Sequence, residues 1–150
     1  MSVADDDVAQ AILTRFAADG QLPVLIPGGL RRGREVAAVT ANTPYAVLEV
    51  GDGERKAEYS TGGVYLDYRM VTITIYGLEA AVRAALAQIQ KAYDPAPSGG
   101  NGLTIPNATH RVTWPLSRHV EQDPATKSGE DIWRGIARYE VISNRSWGGN

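Results

Sequence analysis

The chain has 150 residues, of which 43% are hydrophobic and 21% are charged, and its formal net charge is −2. A chain of this length and composition suits one globular domain, residues 1–150, that buries about 70% of the surface its unfolded form exposes. The charge gives no reason to expect nucleic acid or an anionic membrane as a partner, and no apolar run approaches the roughly 20 residues that span a bilayer.

The sequence contains no cysteine, which excludes disulfides, thiolate nucleophiles and zinc-thiolate sites. The acidic segment Met1–Asp7 does not follow the basic-then-apolar pattern of a signal peptide. We therefore expect the chain to fold in a reducing cytoplasm.

An N-terminal helix is predicted over residues 2–18. Val8, Ile12 and Phe16 lie at helical spacing and form one apolar stripe. Acidic residues precede the stripe, where they suit the positive end of a helix dipole. Asp19-Gly20 is a typical stop signal.

A short apolar run and a basic loop follow the first helix. The apolar run Leu22–Ile26 contains Pro23 and is followed by Pro27, and it predicts an edge strand, where proline is tolerated. Residues 28–34 are rich in glycine and predict an open loop. This loop carries the densest basic cluster, Arg31, Arg32 and Arg34. Such a cluster either contacts phosphate or acidic groups of a partner or is a solvated loop, and the sequence leaves both readings open.

The middle of the chain predicts a meander of antiparallel strands. Residues 45–50 form a strand, 51–53 a tight turn, 54–59 a polar return strand and 65–76 the central strand. At Gly77 the apolar period changes from two to 3.6, which predicts a helix over residues 78–93 that folds back on the strand.

The central strand has two apolar faces. Val71, Ile73 and Ile75 alternate onto the face that the helix covers. A sheet face with large apolar groups needs a cover from its own chain or from a neighbouring subunit. The opposite face of this strand carries such groups: Leu66, Tyr68, Met70 and Tyr76.

Two further strands are predicted after a loop at residues 94–102. The first, at residues 111–114, stops at Pro115 and can extend through 116–120 after a bend. The second covers residues 131–144. One of its faces is apolar, and the other mixes isoleucine with charge as an interface between subunits or the edge of a sheet does: Ile132, Arg134, Ile136, Arg138, Glu140 and Ile142.

The sequence nominates no catalytic, cofactor or metal site. His110 and His119 are nine residues apart, which is not a short-range metal motif. No nucleophile-elbow, Walker-type or dinucleotide-binding motif occurs. We therefore expect a protein without enzymatic activity or a cofactor. Trp114, next to a proline, is a candidate interface residue because tryptophan outside a core concentrates in protein contacts.

In its order of elements the chain resembles the tail terminator, or tail completion, proteins of long-tailed bacteriophages and related prophage elements. The similar pieces span most of the chain: Ala4–Ala18, Leu25–Leu30, Thr43–Leu48, Val71–Gly77, Glu79–Tyr93 and Arg138–Ile142. The resemblance implies an α+β subunit, an antiparallel sheet with helices on one face, assembled as a hexameric ring. It also implies that the ring sits on the finished tail tube, halts its polymerisation and joins it to the head-side connector.

Further expectations follow from that resemblance. DNA would pass through the ring without sequence-specific binding, and the protein would be located in the virion tail after assembly in the bacterial cytoplasm, with no membrane partner. Two alternatives stay open. One is a head-completion or neck ring protein of the same virion. The other is a dimeric α+β domain that binds a small molecule in a pocket lined by His110, His119 and Trp114.

Overall fold

A computed structural model describes residues 3–33, 43–52, 58–59, 64–94, 103, 108–122 and 132–146. These residues form an α+β fold, which confirms the predicted class. None of the helices in these ranges has the length and apolar character that crossing a membrane requires. In chain order the elements are α1 (Val3–Ala18), α2 (Leu22–Leu25), β1 (Leu30–Arg32), β2 (Tyr45–Asp52), β3 (Glu58–Tyr59), β4 (Val64–Gly77), α3 (Glu79–Tyr93), β5 (Ala108–Gln122) and β6 (Trp133–Ser146).

The strands form one sheet in the order β1-β2-β4-β6-β5, and β3 also pairs with β4. The long ladder between β4 and β6 is antiparallel, with Ile73 opposite Ala137. The sheet is mixed because β1 runs parallel to β2, whereas the other pairings are antiparallel. The sheet thus departs at one strand from the purely antiparallel sheet that was predicted.

The main core lies between one face of the sheet and the helices. Helix α1 contributes Ile12, α3 contributes Ile89, and β4 contributes Ile73, all of which are fully buried. Gly135 of β6 lies directly below α3, since a Cβ at this position would stand 2.7 Å from Cγ1 of Val82. The prediction that the helices cover one face of the sheet is confirmed.

The segment predicted as an edge strand is instead the short helix α2. The Asp19 carboxylate accepts hydrogen bonds from the backbone N–H groups of Gln21 and Leu22 at 2.9 Å each, and the Ile26 N–H then donates to the Leu22 carbonyl. Such local side-chain bonds start a helical turn. Pro23 in the first turn is compatible with a helix because an N–H there has no intrahelical partner.

Part of the predicted glycine-rich loop is the strand β1. The Gly28 N–H donates to the Pro44 carbonyl, and the Ala46 N–H donates to the Gly29 carbonyl, so the chain enters the sheet beside β2. A Cβ on Gly28 would lie 2.7 Å from the Pro44 oxygen. Gly29 has a φ of +83°, which favours glycine. The glycine pair therefore has a structural role.

The predicted meander is wrong in its pairing. Strand β2 pairs directly with β4, so that Leu48 lies opposite Ile73. Of the return strand expected at residues 54–59, the structure describes β3, which pairs with β4 where Glu58 lies opposite Leu66, and residues 54–57 lie outside the described residues. Strands β2 and β3 therefore both lie along one side of β4, whose other side pairs with β6.

Candidate assembly surface

The sheet face opposite the helices, called here the helix-free face, is the candidate surface. Strand alternation places one set of side chains on it. From β2, β4, β6 and β5, with Ile132 just before β6, it carries Tyr45, Val47, Glu49, Tyr68, Met70, Thr72, Thr74, Tyr76, Ile132, Arg134, Ile136, Arg138, Glu140, Ile142, Trp114, Ser117, His119 and Glu121.

Several of the large apolar side chains on the helix-free face are already buried within one chain. Tyr68 is 6% exposed, Ile132 4% and Ile136 8%, although none belongs to the main core. Tyr45, which is equally buried, stacks on Tyr76 with ring centroids 5.1 Å apart. These side chains have little surface left for a partner to cover. For Leu66 the structure gives only the backbone position in β4.

The charged groups predicted at the interface fall into two kinds. Arg134 donates to the Glu121 carboxylate at 2.6 Å, so this guanidinium is neutralised by its own chain. Arg138 is exposed, and Met70, which lies diagonally from it on β4 and opposite Glu140, is partly buried. Glu140 is 5% exposed. Of the charged residues that β6 places on this surface, Arg138 is therefore the exposed one, which a second protein can reach.

Among the described side chains of the outermost strand, β5, Trp114 and Leu116 are the large exposed apolar groups. Trp114 is 57% exposed and Leu116 45%. They flank Pro115, where the register between β5 and β6 shifts. A bulge of this kind bends a strand and turns side chains away from their regular direction. Trp114 was predicted from the sequence. Leu116 was not, because its exposure depends on the bulge.

The arginine cluster does not form one patch. Alternation along β1 directs Arg31 and Arg32 to opposite faces of the sheet. Arg31 is exposed, whereas Arg32 binds the Asp6 carboxylate of α1 at 2.7 Å. Arg34 lies outside the described residues. Arg31 is thus the member of the described pair that is oriented for a partner.

An open groove of about 330 Å³, called here the α3/β5 groove, lies beside the outermost strand. It is lined by Arg83, Leu86, Ala87, Gln90, Arg118, His119 and Val120. Trp114 does not line it, and the His110 side chain lies outside the described residues. The His119 imidazole is 3.8 Å from the Glu121 carboxylate. Among the described residues no group of three or more His, Asp or Glu side chains could hold a metal ion.

A polar network, part of it exposed, fixes α3 to the last two strands. Asp94, at the end of α3, accepts hydrogen bonds from the Tyr139 hydroxyl at 2.8 Å and from Arg118 at 2.7 and 2.8 Å. The Tyr93 hydroxyl donates to the Ile12 carbonyl of α1. Burial raises the pKa of both tyrosines above the usual value of 10. The network was not predicted, because Asp94 stands at the start of a proline- and glycine-rich stretch. It gives one wall of the groove a fixed position.

Comparison with known proteins gives no assignment. No family model matches the chain, and no curated protein matches it.

Proposed function

We propose that this chain is the subunit of a closed homo-oligomeric ring, with six copies, that ends the tail tube of a long-tailed bacteriophage or a related prophage element. The observation that carries the proposal is the edge of the sheet. Helices cover one face of the sheet, and its outermost strand, β5, carries the exposed segment Trp114-Pro115-Leu116. Exposed tryptophan and leucine side by side are typical of a contact that another subunit buries.

The ring would halt polymerisation of the tube protein and offer its other side to the head-side connector. DNA would pass through its lumen without sequence-specific binding. A formal net charge of −2 suits that role, since a lumen that attracted phosphates would retain DNA. The protein would act in the virion tail by contact alone, without enzymatic activity or a cofactor.

The helix-free face would supply a second part of the contact. Arg138 is exposed there, whereas Arg134 is already paired with Glu121. A charge at an interface selects its partner geometry, because like charges repel and unpaired charges are costly to desolvate. Arg138 would therefore set the register between subunits, and Met70 beside it would pack against the neighbour.

The test is made on tails of a virus or prophage that encodes the chain. The variant Arg138→Glu with Met70→Asp is expected to fold, because neither side chain belongs to the main core. It should give tubes of uncontrolled length, or tubes without heads. The control is Lys91→Glu, a charge reversal on the exposed side of α3. Tails of normal length joined to heads in the double variant would contradict the proposed interface.

The same experiment separates the two alternatives. A neck ring protein would leave tube length normal and abolish only the joining of heads. A small-molecule-binding domain would leave both unchanged and would need a pocket. The described groove includes His119 but not Trp114, so it differs from the pocket expected for that alternative.

A further inference from the structure

Two complementary features lie on the outermost strand, at some distance from each other. Trp114 pairs with Glu140, so its indole belongs to the helix-free face. Val120, which lines the α3/β5 groove, pairs with Gly135, the residue that lies against Val82 of α3. Arg118, the lining residue nearest to Trp114 along β5, pairs with Ala137, three residues from Glu140 on β6, which is about 10 Å at the usual rise of a strand. The indole and the groove lie on opposite faces of the sheet and therefore do not meet within one chain.

The groove has the size and chemistry to receive one large aromatic side chain. Its volume of about 330 Å³ lies at the lower end of small-molecule sites, roughly 300–1,000 Å³. Leu86, Ala87 and Val120 supply apolar lining, and Arg83 and Arg118 supply guanidinium groups, which are paired with Glu79 and Asp94 of the same chain. A guanidinium is attracted to the face of an indole ring. Arg118 is held in place by its two hydrogen bonds to a carboxylate.

We propose that the Trp114 indole of one copy of this chain inserts into the α3/β5 groove of the next copy, with Leu116 packed beside it. This inference rests on the proposed function, because it names the contact that would join neighbouring subunits. The chemistry also fits, because an indole is a large apolar ring and the receiving groove combines apolar lining with guanidinium groups.

Side-chain insertion fits this edge better than extension of the sheet. Pro115 has no N–H to donate to a further strand, and the register shift between Pro115 and Ser117 interrupts the regular ladder. Features of this kind keep edge strands from pairing with each other. They leave the exposed side chains of Trp114 and Leu116 as the means of contact.

The placement of the two features favours a head-to-tail arrangement. If two β5 edges met around a two-fold axis normal to the sheet, like faces would lie side by side, and Trp114 would miss the groove. The contact instead joins two different surfaces of the chain. Repeated contacts of that type close into rings when the rotation permits.

The absence of cysteine allows a direct test by disulfide cross-linking of full-length chains. A Leu116→Cys chain is mixed with a Gln90→Cys chain under oxidising conditions. A cross-linked dimer is expected in the mixture and not with either variant alone. Adding Trp114→Ala to the first chain should lower the yield at least about 30-fold, the loss typical of an anchor residue. The control is Val24→Ala, which truncates a 71% exposed side chain on α2 and should not change the yield.

Several outcomes would overturn the contact: cross-linking of a single variant with itself, an equal yield with Trp114→Ala, or no product at concentrations up to ~1 mM. The native mass of the unmodified protein separates this failure from failure of the proposed function. A sixfold particle that forms without the cross-link refutes the contact and leaves the ring in place. A cross-link in a protein that is missing from tails supports the contact and refutes the role on the tail.

Discussion

Replacement of Gly135 by alanine tests the packing of α3 on the sheet. The new Cβ would stand 2.7 Å from Cγ1 of Val82, about 1 Å closer than the ~3.5–4.0 Å of a favourable carbon contact. Overpacking of this kind costs about 1–3 kcal/mol. The reduced freedom of the unfolded chain returns about 0.4–1 kcal/mol. We expect a net loss of about 1–2 kcal/mol in the free energy of unfolding.

The assay is urea and thermal unfolding of four proteins: unmodified, Gly135→Ala, Val82→Ala and the double variant. Because Val82→Ala removes the clashing atom, Gly135→Ala should be about 1 kcal/mol less harmful in that background. Gly51→Ala is the control, since it lies in the same sheet and its Cβ would meet nothing within 4 Å. Additive effects of the two replacements would refute the contact between α3 and β6.

Three further predictions concern stability and chemistry. Ile73→Ala or Ile89→Ala should each cost about 2–5 kcal/mol, because both side chains are fully buried; unchanged thermal stability in both would show that the faces are misassigned. Burial alone would raise the pKa of Asp19, but hydrogen bonds from neighbouring backbone N–H groups lower it below the usual value of 3.8. The ionised carboxylate therefore stabilises the fold above pH 3.8, and this stabilisation is lost as the pH falls through the lowered pKa. Asp19→Asn should therefore reduce stability at pH 6 and have progressively less effect as the pH falls below 3.8; the same loss across that range would contradict this. Replacement of His110 and His119 by alanine should leave tail assembly nearly intact, because the contact proposed for the groove depends on its apolar lining and guanidinium groups; loss of assembly in a folded variant would indicate a chemical role.

The sequence predicted the elements whose pattern is local and long. The alternation of β4 and the change of period at Gly77 located both the strand and α3, which begins at Glu79. The alternation of β6 separated Tyr139, in the core, from Arg138, which is exposed. In these elements the local preference of each residue agrees with the final packing, so the local apolar pattern alone predicts the element.

The errors arose where contacts outside the apolar pattern, some local and some between distant parts of the chain, decide the structure. Leu22–Leu25 is helical because Asp19 binds its first N–H groups, and β1 is a strand because Gly28 approaches Pro44. Neither contact is visible in an apolar pattern. Alternation gave the face on which Tyr68 lies, but it could not give the extent of its burial. The α3/β5 groove was missed for the same reason, since two elements far apart in sequence form it.

The position and number of copies of the chain in intact tails test the central claim most directly. Tails are purified from a virus or prophage that encodes a fluorescently labelled copy, and the label is located and counted on single particles. We predict six copies at the head-proximal end of each tail and none along the tube. Tails that lack the chain, or that carry it along their whole length, would contradict the proposed role.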